Sequence, residues 1–134
     1  MSWQFTKASH IGGRKEQQDR VNILKDNKNK QYCCVLADGM GGHQGGAMAA
    51  QQLMDISQQL WPPNIPAKQW LEKVCQQTHQ AIQQEGKENN INPRTTAVLL
   101  LIQKNKIYWC WLLWEKLNLK KWQPIPIKIG LPKV

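Results

Sequence analysis

The spacing of apolar residues predicts strands in the first third of the chain. Residues 3–8 and 20–24 alternate between two sets of side chains, which is the period of a strand with one buried face. Residues 32–37 form the short apolar run YCCVLA, which is typical of a buried strand. The intervening segment KDNKNK, residues 25–30, favours a turn through its Asp and Asn residues. The pattern therefore predicts three strands, of which the last two form a hairpin.

Helical spacing replaces this alternation after the glycine-rich residues 38–46. Apolar side chains recur at roughly helical intervals from Met48 to Leu60, and Pro62 and Pro63 then end the pattern. A second helix is predicted over residues 67–84, with Asn64 or Pro66 near its start. Its apolar stripe consists of Leu71, Val74, Cys75, Thr78 and Ile82. His79 on this helix predicts no chemistry and is interpreted as a surface residue or as satisfied packing.

The last third begins as a hairpin and then loses its pattern. Residues 95–102 and 106–113 are rich in β-branched and aromatic side chains, which favours two strands around Lys104 and Asn105. Residues 114–134 follow neither a strand period nor a helix period. We therefore divide the chain into a folded part, residues 1–113, and a basic tail, residues 114–134, which is either disordered or encoded in a shifted reading frame.

Composition places the chain among globular proteins. Its 134 residues, 41% of them hydrophobic, fit one domain and exclude a collagen-like or a wholly disordered chain. Its apolar runs are far shorter than the ~20 residues of a membrane-spanning helix, so no membrane partner is expected. The first ten residues show no apolar signal-peptide core, which predicts a cytoplasmic location. The cysteines form no CxxC pair, and Cys33 and Cys34 are predicted to pack as small apolar residues.

The charge of the chain is uneven. The net charge of +9 divides into +2 for residues 1–88 and +7 for residues 89–134. A basic segment interleaved with tryptophan is one feature of nucleic-acid binding, so a non-catalytic basic module is an alternative hypothesis. Lys-rich tails are more often solvated and disordered, which makes nucleic acid the weaker expectation.

Two short segments carry candidate chemistry. In GGRKEQQDR, residues 12–20, an arginine precedes Asp19 by five positions, and in LADGMGGHQGG, residues 36–46, Asp38 follows an apolar strand. A carboxylate at a strand end, together with the carbonyl group of Gly39, suits a hard cation with oxygen ligands. The alternative is that Asp38 and the glycines only form a strand-to-helix turn. A dinucleotide-binding loop would need glycine where Gln44 stands, so that motif is excluded.

Taken together, these segments resemble a known family. The chain resembles the N-terminal half of the metal-dependent serine/threonine protein phosphatases of the PPM, or type 2C, family in its bacterial form. The segments that carry the resemblance are RKEQQDR, then VLADGMGGHQGG, two helices and RTTAVLLLIQKNKIYW. The resemblance covers about residues 3–111. It implies an α+β fold, an incomplete four-layer αββα sandwich in which helices flank antiparallel sheets.

The resemblance also implies roles for four residues. Arg14 matches the arginine that binds the substrate phosphate, and Asp38 matches the aspartate that bridges two Mg²⁺ or Mn²⁺ ions. Gly39 matches the residue whose carbonyl group binds one ion, and Asp19 matches an acidic residue that supports the metal shell. The implied reaction is hydrolysis of phosphoserine or phosphothreonine in proteins by a metal-activated water. Proteins of a bacterial Ser/Thr kinase pathway are the implied substrates.

The chain also departs from the family pattern. A GDSR-type turn and further metal-binding aspartates are missing after the last strand, and Arg94 replaces a glycine before TTA. Two carboxylates alone cannot offset the charge of two divalent cations. Three hypotheses follow: a truncated phosphatase with little or no activity, a fragment completed by a partner chain, or the nucleic-acid module.

Overall fold

The computed structural model describes residues 3–40, 45–104, 106–113 and 127–130. These residues form an antiparallel sheet with two helices, which is an α+β fold. In chain order the elements are β1 (Asp19–Asp26), β2 (Gln31–Met40), α1 (Gly46–Gln59), α2 (Ala67–Asn89), β3 (Arg94–Gln103), β4 (Lys106–Leu113) and β5 (Ile127–Gly130).

The strands lie in the sheet in the same order as in the sequence, β1-β2-β3-β4-β5. The β1–β2 hairpin turns at residues 27–30, where the Asp26 carboxylate accepts a hydrogen bond from the side-chain amide of Asn29 at 2.9 Å. From this turn the register runs pair by pair to Asp19 opposite Asp38 at the far end. Both predicted hairpins are confirmed, and the first one brings two acidic residues together.

Both helices pack on one face of the sheet and enclose the core with it. The largest fully buried side chains include Trp70, Leu53, Leu99, Leu101 and Val35. The Trp70 indole N–H donates to the carbonyl oxygen of Leu60 at 2.8 Å and so ties the start of α2 to the end of α1. The predicted stripe of α2 is buried, and so is Cys33. No helix in the part of the chain that the structure describes is long and apolar enough to cross a lipid bilayer.

The opposite face of the sheet is apolar and partly open. Leu36, Val98 and Trp111 are aligned across three neighbouring strands. Leu36 is 50% exposed and Trp111 is 55% exposed. Among the described residues, both helices lie on the other side, so this half of the fold supplies two of the four layers that the resemblance implies.

Two regions differ from the sequence-based expectation. Residues 3–8 form no strand, because their main chain joins no strand ladder. The segment contacts the sheet through side chains instead, and the Phe5 ring packs on Tyr32 with centroids 5.1 Å apart. Ile127–Gly130 forms β5 on β4, within the segment for which no regular structure was predicted. Main-chain pairing at a sheet edge needs little side-chain periodicity, so the pattern gave no signal there. The remainder of the tail lies outside the described residues, and the division at residue 113 stays a prediction.

The second helix is longer than predicted, extending to Asn89 rather than ending near residue 84. Its last residues, EGKEN, are mostly polar and add little apolar signal, although Glu and Lys are good helix formers. The helix ends where Asn90 adopts a left-handed conformation, with φ of 51°. The buried stripe therefore underestimates the length of this helix.

Candidate active site

Two aspartates face each other at one end of the β1–β2 hairpin. Asp19 is the first residue of β1, and the register places it directly opposite Asp38. Partial desolvation, a hydrogen bond with Asp19 and the negative charge of Asp19 together raise the pKa of Asp38 above its usual value. Two carboxylates placed opposite each other in this way form a favourable place for a cation.

The main chain around Gly39 is closely packed. The Gly39 N–H donates to the carbonyl oxygen of Gln18 at 3.1 Å. A β-carbon at position 39 would lie 2.6 Å from that same oxygen and nearer still to the carbonyl oxygen of Gly46. Glycine is therefore required where β2 passes between the residue before β1 and the start of α1. This packing fixes the residue whose carbonyl group was predicted to bind metal.

Thr96 supports Asp38 from the neighbouring strand. The main-chain N–H of Asp38 donates to the Thr96 hydroxyl at 3.0 Å, so a side chain satisfies the amide at this position. Thr96 belongs to the TTA segment, but no role was predicted for it from the sequence. The sequence feature that could have predicted this role is the pair of threonines at the start of a strand. Because side chains alternate along a strand, one of the two threonines points toward each face of the sheet.

Arg14 lies on the exposed loop that precedes β1. The loop is shaped by a hydrogen bond from the Gly12 N–H to the His10 ring at 2.9 Å. Its end is attached to α1 through Arg20, whose side chain contacts the Gln17 carbonyl oxygen at 2.6 Å and the Gln51 side chain at 3.1 Å. These contacts hold the loop beside the two aspartates.

One cleft brings together all four residues predicted from the sequence. It has a volume of about 740 Å³, and its lining includes Arg14, Asp19, Asp38 and Gly39. It also includes Lys15 and Glu16, for which the sequence predicted no role. An arginine and two carboxylates in one cleft could hold a phosphoryl group and a cation side by side.

The donor set is too small for two divalent cations. Within the described ranges, no three His, Cys, Asp or Glu side chains come close enough to hold a metal ion. Asp19 and Asp38 could contribute to one cation, since hard cations prefer carboxylate and carbonyl oxygens. Residues 41–44 of the glycine-rich segment that follows Asp38 lie outside the described residues.

A sequence profile of the Protein phosphatase 2C family matches residues 6–112, and the chain belongs to that family. It is 32% identical over 75 residues to the serine/threonine phosphatase stp of Listeria innocua serovar 6a. That alignment covers 52% of this chain and 29% of the relative. The chain therefore spans less than a third of the length of this relative.

Solved phosphatase structures share the fold. The S. agalactiae serine/threonine phosphatase superposes with a TM-score of 0.63 at 23% identity, over 73% of this chain and 43% of that one. The catalytic domain of serine threonine protein phosphatase PstP, solved in complex with 2 manganese ions, superposes with a TM-score of 0.62 at 22% identity. That superposition covers 74% of this chain and 42% of the PstP domain. The α+β fold is thus that of a phosphatase, and the chain supplies under half of each domain.

Proposed function

We propose that this chain forms part of the active site of a metal-dependent protein serine/threonine phosphatase. The observation that supports the proposal is the single cleft that contains Arg14, Asp19, Asp38 and Gly39. Membership of the Protein phosphatase 2C family supports the same activity. The proposed substrates are phosphoserine and phosphothreonine side chains of proteins, with targets of bacterial Ser/Thr kinases as the narrower expectation. The proposed location is the cytoplasm.

Each residue has a distinct part in the proposed reaction. Mg²⁺ or Mn²⁺ would be held by Asp38, Asp19 and the Gly39 carbonyl group. Manganese is the ion bound in the PstP structure. A bound cation of this kind supplies a water of lowered pKa as the nucleophile. The Arg14 guanidinium binds and orients the phosphoryl oxygens through paired hydrogen bonds. Thr96 positions Asp38 by accepting its main-chain N–H.

Metal binding by the 134-residue chain provides the first test. Calorimetric titration with Mn²⁺ should show one weak site that is lost in Asp38→Ala and weakened in Asp19→Asn. Asp26→Asn is a matched control, because Asp26 lies at the opposite end of the same strand. Equal Mn²⁺ binding by Asp38→Ala and the parent chain would refute the assignment of Asp38.

Hydrolysis of p-nitrophenyl phosphate with Mn²⁺ is the second test. Because two carboxylates hold two metals poorly, the 134-residue chain should turn over no faster than its Asp38→Ala variant. Fusion to a family-type C-terminal half that supplies the missing aspartates should give metal-dependent activity. In that protein Asp38→Ala should remove most of kcat, whereas Arg14→Ala should mainly raise KM. Near-normal kcat in Asp38→Ala would overturn the metal assignment.

The nucleic-acid alternative has no support from the fold or from the comparisons. Residues 114–126, which carry several of the basic side chains invoked for it, lie outside the described residues. Completion of the site by a separate chain remains compatible with the proposal, since the activity test requires only that the missing carboxylates be supplied.

A further inference from the structure

Both hairpin turns lie at the end of the sheet opposite the candidate active site. The register pairs Gln31 with Gln103 and Gln103 with Lys106, so the two turns lie side by side. The Gln103 side-chain amide donates to the Gln31 side chain at 2.7 Å and joins the two hairpins. Asp19 and Asp26 are the first and last residues of β1, so at roughly 3.3 Å per residue about 23 Å separate the two ends of the strand. This end of the sheet is therefore distinct from the candidate active site.

Five lysines are gathered at this end of the sheet. All of them are exposed, and we call them the basic end: Lys25, Lys28, Lys30, Lys104 and Lys106. They share residues 25–31 and 103–106 with one acidic residue, Asp26, which leaves a net charge of +4. The Asp26 carboxylate accepts hydrogen bonds from the main-chain and side-chain amides of Asn29 and from the Gln31 side chain. Lys28 acts on this carboxylate through its charge, and within the described ranges none of the five lysines forms an ion pair.

Two of these lysines occupy backbone positions that disfavour lysine. Lys30 has a φ of 52° and Lys104 has a φ of 53°, and both values lie in the left-handed region. Glycine and asparagine adopt this conformation at a lower cost, and the sequence has an asparagine next to each lysine, Asn29 and Asn105. Each turn thus carries a cation where a neutral residue would fit the backbone better. Strained positions of this kind are typical of residues whose side chains serve a function.

The composition of the basic end favours an acidic polypeptide over other polyanions. Residues 25–31 and 103–106 contain no arginine, whose planar fork is the side chain best suited to paired hydrogen bonds with phosphate. The neighbouring aromatic residue, Tyr32, already packs on the Phe5 ring, so it offers no free platform on which bases could stack. The turn residues are all Asn or Lys, so they have no apolar side chain to enter a lipid surface. Exposed ammonium groups with neighbouring amides suit a series of carboxylates.

We propose that the basic end binds an acidic segment of a partner protein, which lies across the two hairpin turns. The strands from β1 to β4 span about 14 Å at roughly 4.8 Å per strand, a distance that about four or five residues of an extended peptide cover. Carboxylates of this segment pair with the lysines of both turns. The proposal goes beyond the phosphatase reaction and does not depend on it, because the basic end shares no residue with the candidate active site.

The test is fluorescence anisotropy of a fluorescein-labelled hexa-aspartate peptide titrated with the 134-residue chain in EDTA at low salt. The double variant Lys28→Glu/Lys104→Glu reverses one charge in each turn and should weaken binding by about tenfold or more. The matched control Lys73→Glu/Lys87→Glu changes the net charge equally at exposed positions of α2 and should alter the affinity by less than about threefold. Because the lysines are exposed, raising the salt from about 0.05 M to about 0.5 M should also weaken binding.

A second pair of variants separates binding from folding. Lys30→Asn and Lys104→Asn each place a residue that tolerates the left-handed conformation, so the urea midpoint should not fall while the peptide affinity drops severalfold. Equal weakening by the two double variants, or unchanged affinity in both asparagine variants, would overturn the proposal. It would also be overturned if Lys28→Glu/Lys104→Glu lost affinity for a short oligothymidylate or for phosphatidylserine vesicles while retaining the peptide, because the surface would then serve another class of partner.

Discussion

Substitution of Gly39 by alanine should destabilise the chain strongly, although it adds a single methyl group. The new β-carbon would lie 2.6 Å from the Gln18 carbonyl oxygen, whereas an ordinary contact begins near 3.4 Å. It would also overlap the Gly46 carbonyl oxygen. Both obstacles are main-chain atoms of separate elements, so no side-chain rotation can relieve the overlap.

The expected cost follows from this geometry. The segment before β1 would have to move by roughly 0.8 Å, and the start of α1 by more. Overpacking of this kind costs about 1–3 kcal/mol, and loss of the Gly39 to Gln18 hydrogen bond adds about 1 kcal/mol. A total of about 2–4 kcal/mol is a large part of the 5–15 kcal/mol that stabilises a typical domain.

Urea denaturation followed by circular dichroism measures this cost. Gly13→Ala is the matched control, because a β-carbon there meets no atom within 4 Å. The control should stay within about 0.5 kcal/mol of the parent chain. If the free energy of unfolding of Gly39→Ala also stayed within that margin, the close approach of β2 to α1 would be wrong, and the placement of Gly39 in the candidate site would lose its basis.

Three further predictions concern single side chains. Thr96→Val removes the acceptor of the Asp38 N–H and should lower the free energy of unfolding by about 1 kcal/mol; an unchanged urea midpoint would contradict the role of this hydroxyl. Burial lowers the pKa of His79, so the unfolded chain takes up a proton first and stability should fall as pH drops below roughly 6.5. His79→Phe should make the urea midpoint less sensitive to pH over that range, and an identical pH dependence of the two proteins would refute the assignment. Trp70→Phe removes the hydrogen bond to Leu60 and should cost about 1–3 kcal/mol in thermal or urea unfolding, whereas Trp3→Phe should have little effect.

Periodicity predicted the elements that bury one face against a core. Leu71, Val74 and Ile82 all turn inward as their helical spacing requires, because a buried stripe is what such spacing reports. Residues 3–8 alternate as well, but alternation does not provide a neighbouring strand to accept main-chain hydrogen bonds. Alternation alone is therefore not a sufficient signal for a strand.

The candidate site was predictable in its residues and less so in its arrangement. A four-residue turn after Asp26 fixes the register, so the pairing of Asp19 with Asp38 follows once that turn is located. Arg14 lies on a loop without periodicity, and only the resemblance suggested that it joins these residues. His79 was interpreted as a surface residue or as satisfied packing, whereas the structure buries it with an unpartnered nitrogen. Hydrogen-bond satisfaction depends on three-dimensional neighbours and leaves no mark in a helical pattern.

The order of the strands has a consequence for how the chain reaches this fold. Every strand pairs only with its neighbours in sequence, so the sheet can grow in one direction as the chain is synthesised. The β2–β3 ladder joins strands that are far apart in the sequence, because residues 41–93, including both helices, lie between them. Closing that long loop costs more entropy than closing either hairpin turn. We therefore expect the two hairpins and helices to form early and the β2–β3 ladder to set the folding rate.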